Sequence, residues 1–241
     1  MPIAVPVSSS IEGTVVFTGF RTPKIEASIT EKKPDGSAGK SQRITKETVI
    51  GRSDCDLSYA EDVLLSPRHA ALAAREGKLY LRDLDSQNGT FVRQRQDSEL
   101  IAGDIFLIGS ELFRFTTQVL EQPEPSPQGT LVWSGPQRTQ RGPVSAKLEH
   151  IKVTGEVVTE FRLEKPETTL GRTTGDLIFG DDRFMSGTHA RVVAQPGRFV
   201  LQDLRSRNGV YRRIRAEVEL LDGDEFFLGE QIFRVEVKPV E

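Results

Sequence analysis

Cysteine is almost absent. Cys55 is the only one in 241 residues, so no internal disulfide can form and a four-cysteine zinc site is excluded. Nothing in the sequence requires an oxidising compartment. Long apolar runs are also missing. No window approaches the roughly 18 consecutive apolar residues of a membrane-spanning helix, so no membrane insertion is expected. The opening MPIAVPVSSS lacks a charged segment followed by an apolar run. No secretory leader is therefore expected, and a cytoplasmic location is. Positive charge is not in excess, with 32 basic against 35 acidic residues. That balance argues against nucleic acid as a partner. Neither a P-loop nor a dinucleotide-binding glycine pattern appears, and no cofactor or metal is expected. Helical periodicity with caps is absent throughout.

What is present is a repeat. Gly51-Arg52 recurs as Gly171-Arg172, Ser66-x-x-His69 as Ser186-x-x-His189, and Asp83-Leu84 as Asp203-Leu204. Asn88-Gly89 recurs as Asn208-Gly209 and Gly103-Asp104 as Gly223-Asp224. Each pair is offset by 120 residues without a gap, and 26 of the 66 positions from Ile50 to Phe115 are identical to their counterparts. Two copies of this length each hold enough residues for a core, which separates a duplicated domain from a solenoid. Upstream the match is looser. Lys24-Ile-Glu aligns with Lys147-Leu-Glu, which assigns three additional residues to the first copy, at the Pro/Gly/Ser-containing segment Lys32 to Lys40. The expected organisation is an N-terminal extension (1–21), a first domain (22–118), a Pro/Gln/Gly-rich linker (119–143) and a second domain (144–239).

Short alternating segments such as Lys78-Leu-Tyr-Leu-Arg82 and Arg198-Phe-Val-Leu-Gln202, with turn residues between them, predict strands. Regular short strands without helices predict an all-β chain of two tandem β-sandwiches, whose function sits on end loops.

Gly-Arg, Ser-x-x-His, Asn-Gly and Leu-x-x-Gly-Asp, in that order and twice over, resemble the forkhead-associated (FHA) family. The resemblance covers both repeats and omits the N-terminal segment and the linker. It implies a β-sandwich whose end loops bind phosphothreonine peptides. Arg52 and Arg172 would grip phosphate, since a guanidinium offers a planar fork to two oxygens. Ser66 and Ser186 would donate a hydroxyl, and Asn88 and Asn208 would hold the peptide backbone. Arg68, Thr188 and Arg207, with Gln87, are auxiliary contact positions. Gly51, Gly89, Gly171 and Gly209 would shape the loops, and His69 and His189 would brace them from behind. The implied partners are Thr-phosphorylated proteins, together with a Ser/Thr protein kinase. The implied role is a signalling adaptor rather than an enzyme.

The two copies differ in charge. From Gly51 to Arg95 there are seven basic and seven acidic residues; from Gly171 to Arg215 there are nine and four. The second site is expected to prefer the more acidic phosphopeptide. Two apolar cassettes, Gly13-Thr-Val-Val-Phe-Thr-Gly19 and Gly129-Thr-Leu-Val-Trp-Ser-Gly135, precede the domains. They read as short anchoring strands, with Thr14 and Thr130 as candidate phosphoacceptors that would dock into an FHA site. Two other functions fit the residues less well. A phosphorylation-independent scaffold has no need of Arg, Ser and Asn in both copies. A Ser66–His69–Asp83 hydrolytic triad has no G-x-S-x-G elbow and no visible oxyanion hole.

Overall fold

The computed structural model describes residues 10–11, 14–15, 24–33, 36–119 and 144–240. The chain is all-β: every regular element among them is a strand. Two compact units are found. The first is drawn from Met1–Ser86, Ala216–Glu225 and Gln231–Glu241, the second from Gln87–Arg215 and Phe226–Glu230. The units do not follow the repeats. Each joins the front of one repeat to strands from the back of the other.

In the first unit, Lys24–Lys32 pairs with Ala38–Ile44 on one side and with Gln231–Val240 on the other. The facing sheet runs in the order Val218–Leu220, Lys78–Asp83, Ala70–Arg75, Thr48–Gly51, Leu57–Ser58. Ala27, Ile29, Ile50, Leu72, Leu79, Leu81 and Val235 are buried. Ala27, Ile29, Leu81 and Val235 alternate with polar or amphipathic neighbours, as a half-buried strand requires, whereas Ile50 and Leu72 lie in continuously apolar stretches.

In the second unit, Val144–Ile151 pairs with Val157–Arg162 and with Glu111–Val119. That sheet continues through Ile105–Ile108 to Val210–Arg213 and Phe91–Arg93. Its partner sheet runs Ser98–Leu100, Arg198–Asp203, Ala190–Gln195, Glu167–Gly171, Leu177–Ile178. Phe106, Phe113 and Phe115 from the first repeat pack with Leu148, Leu170, Met185 and Leu201 from the second in one core. Each such side chain contributes roughly 1.5–3 kcal/mol. Ion pairs join the same two sources. Arg114 meets its cross-strand partner Glu149 at 2.6 Å, and buried Asp104 meets Arg212 at 2.5 Å and Arg215 at 2.9 Å.

The exchange has a sequence cause. The closing strands carry the same apolar positions in both repeats, Phe113 matching Phe233 and Phe115 matching Val235. Either closing strand therefore presents a fitting face to either front half. In the second unit Val119 stands directly opposite Val144, so the chain enters the second repeat as the return strand of a hairpin.

One expectation about the repeats is corrected. Phe115 stands opposite Leu148 and Val235 opposite Ile29. Leu148 is thus the counterpart of Ile29, an offset of 119, and Lys147 is not the counterpart of Lys24. The two hairpins are equally long, because Ala27 faces Ile44 just as Ala146 O accepts from Leu163 N. The copies differ by one residue, located after the hairpin and not within Lys32 to Lys40. The matched residues sit in different surroundings: Lys24 and Glu26 are exposed, whereas Glu149 is buried against Arg114 and Lys147. Register is set by the buried pairs Ala27/Ile29 and Ala146/Leu148, which a shift would turn out of the core. The expected linker, beyond Val119, lies outside the described residues.

Candidate functional site

The second repeat's residues come together in the second unit. Arg172 follows the strand Glu167–Gly171, and its N–H donates to Ser186 O at 2.9 Å. Thr173 N and Thr174 N both donate to Gly187 O, at 3.1 and 2.9 Å. A Cβ on Gly171 would collide with Gly187 O, so glycine there lets the Arg-bearing and Ser-bearing loops touch. Among the described residues, the half-buried Arg172 side chain has neither a hydrogen-bond nor an ion-pair partner. That contrasts with Arg212 and Arg191, which are tied to Asp104 and Glu167.

His189 is fully buried directly behind these loops. Its Nδ1 accepts from Ser186 N at 3.0 Å, so its Nε2 carries the proton and donates to Gly209 O at 3.0 Å. Burial pushes its pKa below the ordinary histidine value, outweighing the Gly209 carbonyl, Asp203 and Asp182, which favour the charged ring. Both ring nitrogens are committed to backbone. The ring faces the Ser186 backbone and not its hydroxyl, which is not the arrangement of a nucleophile and its base.

Ser186 Oγ accepts from Arg207 N at 3.0 Å, leaving the hydroxyl proton to be donated elsewhere. Asn208 Nδ2 donates to Phe184 O at 2.7 Å. Gly209 has φ +82 and its N–H donates to Ser206 Oγ at 2.9 Å. Thr188 and Arg207 are exposed on the same loops. Arg172, Ser186 and Asn208 thus bring an unpartnered guanidinium, an available hydroxyl proton and a side-chain amide to adjoining loops, a set of donors suited to acceptor oxygens.

In the first repeat the local geometry repeats where it is described. Arg52 N donates to Ser66 O at 3.0 Å, Ser53 N to Pro67 O at 3.1 Å and Ser66 N to His69 Nδ1 at 3.1 Å. A Cβ on Gly51 would collide with Pro67 O. The Arg52 side chain has no polar partner among the described residues, while Arg68 Nη1 donates to Asp54 O at 3.2 Å. Arg52, Ser66, Arg68 and His69 belong to the first unit; Gln87, Asn88 and Gly89 belong to the second.

Sequence reasoning missed three contributors to the second site. Buried Asp182 accepts from Phe184 N at 2.8 Å and from Ser110 N at 2.7 Å, fixing the loop that Asn208 grips. Its recurrence as Asp62 was a visible signal. Phe184 is 42% exposed beside Asn208, with the Arg183 guanidinium 5.1 Å from its ring centre. Arg93, from the first repeat, packs on Gly209, and no spacing in the sequence announces that contact. Of the candidate phosphoacceptors, Thr14 lies in the two-residue strand Thr14–Val15 opposite Ile11. Thr130 lies outside the described residues.

Among the described residues no helix is long and apolar enough to cross a membrane. In sequence, the chain is 41% identical over 71 residues, 29% of its length, to an oxoglutarate dehydrogenase inhibitor of Corynebacterium diphtheriae. The chain spans half the length of that relative. A solved structure described as an analysis of phosphothreonine-dependent FHA domain interactions aligns over 89% of this chain and 99% of its own, with 12% identity and a TM-score of 0.35. Mycobacterium tuberculosis EmbR in complex with a low-affinity phosphopeptide aligns over 38% and 27%, with 27% identity and a TM-score of 0.22. The FHA domain profile matches residues 48–109 and 168–229, half of the sequence in two copies, and the chain belongs to the FHA domain family.

Proposed function

We propose that this chain is a phosphothreonine-peptide-binding adaptor that acts downstream of a Ser/Thr protein kinase, with one site in each repeat. The observation that carries the reading is the unpartnered Arg172 guanidinium beside a Ser186 hydroxyl whose proton is available. A phosphate dianion supplies the charge and the acceptor oxygens that both groups lack. Asn208, already bonded through one N–H to Phe184 O, keeps its carbonyl and second N–H for the peptide backbone. Arg52 and Ser66 take the same phosphate-binding roles in the first repeat, with Arg68 as an auxiliary contact there and Thr188 and Arg207 as auxiliary contacts in the second. Two sites in one chain bridge two phosphorylated partners or hold one doubly phosphorylated partner by avidity. Membership of a family of interaction modules supports a binding role over a catalytic one.

A phosphopeptide-library pull-down with the wild-type chain, Arg52→Ala and Arg172→Ala tests it. The wild type should retain phosphothreonine peptides and not their unphosphorylated forms, and each variant should lose a subset. Capture that ignores both phosphate and the two arginines overturns the reading in favour of a phosphate-independent scaffold.

A further inference from the structure

We infer that Arg93, a residue of the first repeat, is a positioning residue of the second repeat's site. The inference rests on the phosphopeptide reading of that site. Arg93 lies on the strand Phe91–Arg93, antiparallel to Val210–Arg213, and stands opposite Tyr211. The ribbon is extended by Gln94 N to Val210 O at 2.8 Å and by Ile214 N to Thr90 O at 2.9 Å. Gln94 Nε2 adds a bond to Leu201 O at 2.9 Å. Val210 follows Gly209 directly, so the first repeat's strand is docked against the end of the Asn208-Gly209 turn.

The contact itself is close. A Cβ on Gly209 would stand 2.9 Å from Arg93 Cζ and 3.0 Å from Nη2, so the guanidinium occupies the volume a side chain would take. A glycine at positive φ has wide backbone freedom and no side chain of its own to pack. Here it is held by Arg93, by His189 Nε2 on its carbonyl and by Ser206 Oγ on its N–H. Asn208 acts on a ligand only if that turn stays within a fraction of an ångström of one geometry. The planar, rigid guanidinium suits a flat peptide surface in a way a lysine ammonium does not. The same device recurs in reverse, because a Cβ on Gly89 would meet the Arg213 guanidinium. Each repeat's Asn-Gly turn is therefore covered by an arginine from the other.

The test uses the full chain carrying Arg52→Ala, so that only the second site reports. Affinity is measured for a phosphothreonine peptide and for free phosphothreonine. Arg93→Ala should weaken the peptide about tenfold through the misplaced Asn208 and leave free phosphothreonine, held by Arg172 and Ser186, unchanged. In an Asn208→Ala background Arg93→Ala should cost nothing more. Arg93→Lys should recover only part of the loss. Wild-type peptide affinity in Arg93→Ala overturns the inference. So does an equal loss for free phosphothreonine, or additivity with Asn208→Ala. If the Arg52→Ala chain binds no phosphopeptide, the reading of the site falls instead. The ligand-free Gly209 amide and His189 Nε2–H resonances then decide the positioning role: movement in Arg93→Ala supports it, and unmoved signals overturn it.

Discussion

The backbone N–H of Arg207 donates to Ser186 Oγ at 3.0 Å. This bond fixes the orientation of the hydroxyl, since the oxygen accepts from the Asn-Gly loop and its proton must point away. Ser186→Ala removes one donor to a dianion. Hydrogen bonds to charged groups are worth about 1.5–3 kcal/mol, so phosphopeptide affinity at the second site should fall about 10- to 100-fold. Ser186 is half-buried and outside the core, so the melting temperature should barely move. Calorimetric titration of Ser186→Ala in an Arg52→Ala background measures the first effect and thermal melting the second.

The candidate site residues were legible because their chemistry is local. Arg172, Ser186 and Asn208 sit at fixed spacings from one another, and the 120-residue recurrence made each visible twice. The strands were legible through alternation. Which repeat supplies a sandwich's closing strands was not, because Phe113 and Phe233 are the same residue at equivalent positions. A pattern that fits both partners cannot distinguish them. The hairpin register is hidden for a related reason: Lys24-Ile-Glu and Lys147-Leu-Glu match as strings, while the buried, equivalently paired Ile29 and Leu148 carry the constraint. Arg93 on Gly209 joins residues that only the folded ribbon brings together.

His189 makes the second site's support sensitive to acid. Nδ1 accepts from Ser186 N and Nε2–H donates to Gly209 O, so only the neutral ring satisfies both. Its pKa is lowered, chiefly by burial. A histidine with a depressed folded pKa binds fewer protons when folded than when unfolded. Its contribution is complete above the ordinary value of about 6.5 and is lost as pH falls through the lower folded value. The His189 ring resonances should titrate below that ordinary value. Urea stability should decline from pH 7 towards pH 5, with a flatter decline in His189→Gln. Equal slopes would show that the ring is not the sensor. Stability is the right readout, because the phosphate of any ligand titrates near pH 6 itself.

The charge difference between the repeats narrows to specific arginines. Arg212 is committed to Asp104 and Arg213 lies on Gly89. Arg183, Arg205 and Arg207 are exposed with no ion-pair partner among the described residues. They stand where the first repeat has Val63, Asp85 and Gln87. One acidic phosphothreonine peptide should bind more tightly to Arg52→Ala, which retains the second site, than to Arg172→Ala. The advantage should shrink as salt shortens the screening length from about 10 Å at 0.1 M to about 3 Å at 1 M. Anisotropy titrations across that range check it. Parallel salt curves would mean that these arginines do not face the ligand.

The strand exchange is open to a direct covalent test. Thr116 stands opposite Lys147 in the second unit, and Glu236 opposite Ser28 in the first. Positions 116 and 236 are equivalent in the repeat, so a chain whose repeats kept their own closing strands would place residue 116 opposite Ser28. Cα atoms of antiparallel partners lie about 4.5–5.5 Å apart, within the reach of a disulfide. With Cys55→Ser removing the native thiol, the pair Thr116→Cys/Lys147→Cys should close within the monomer on mild oxidation. The pair Ser28→Cys/Thr116→Cys should stay reduced. The opposite result would return each closing strand to its own repeat. Arg93 could then cover Gly209 only if the ribbon of Phe91–Arg93 and Val210–Arg213 survived that rearrangement.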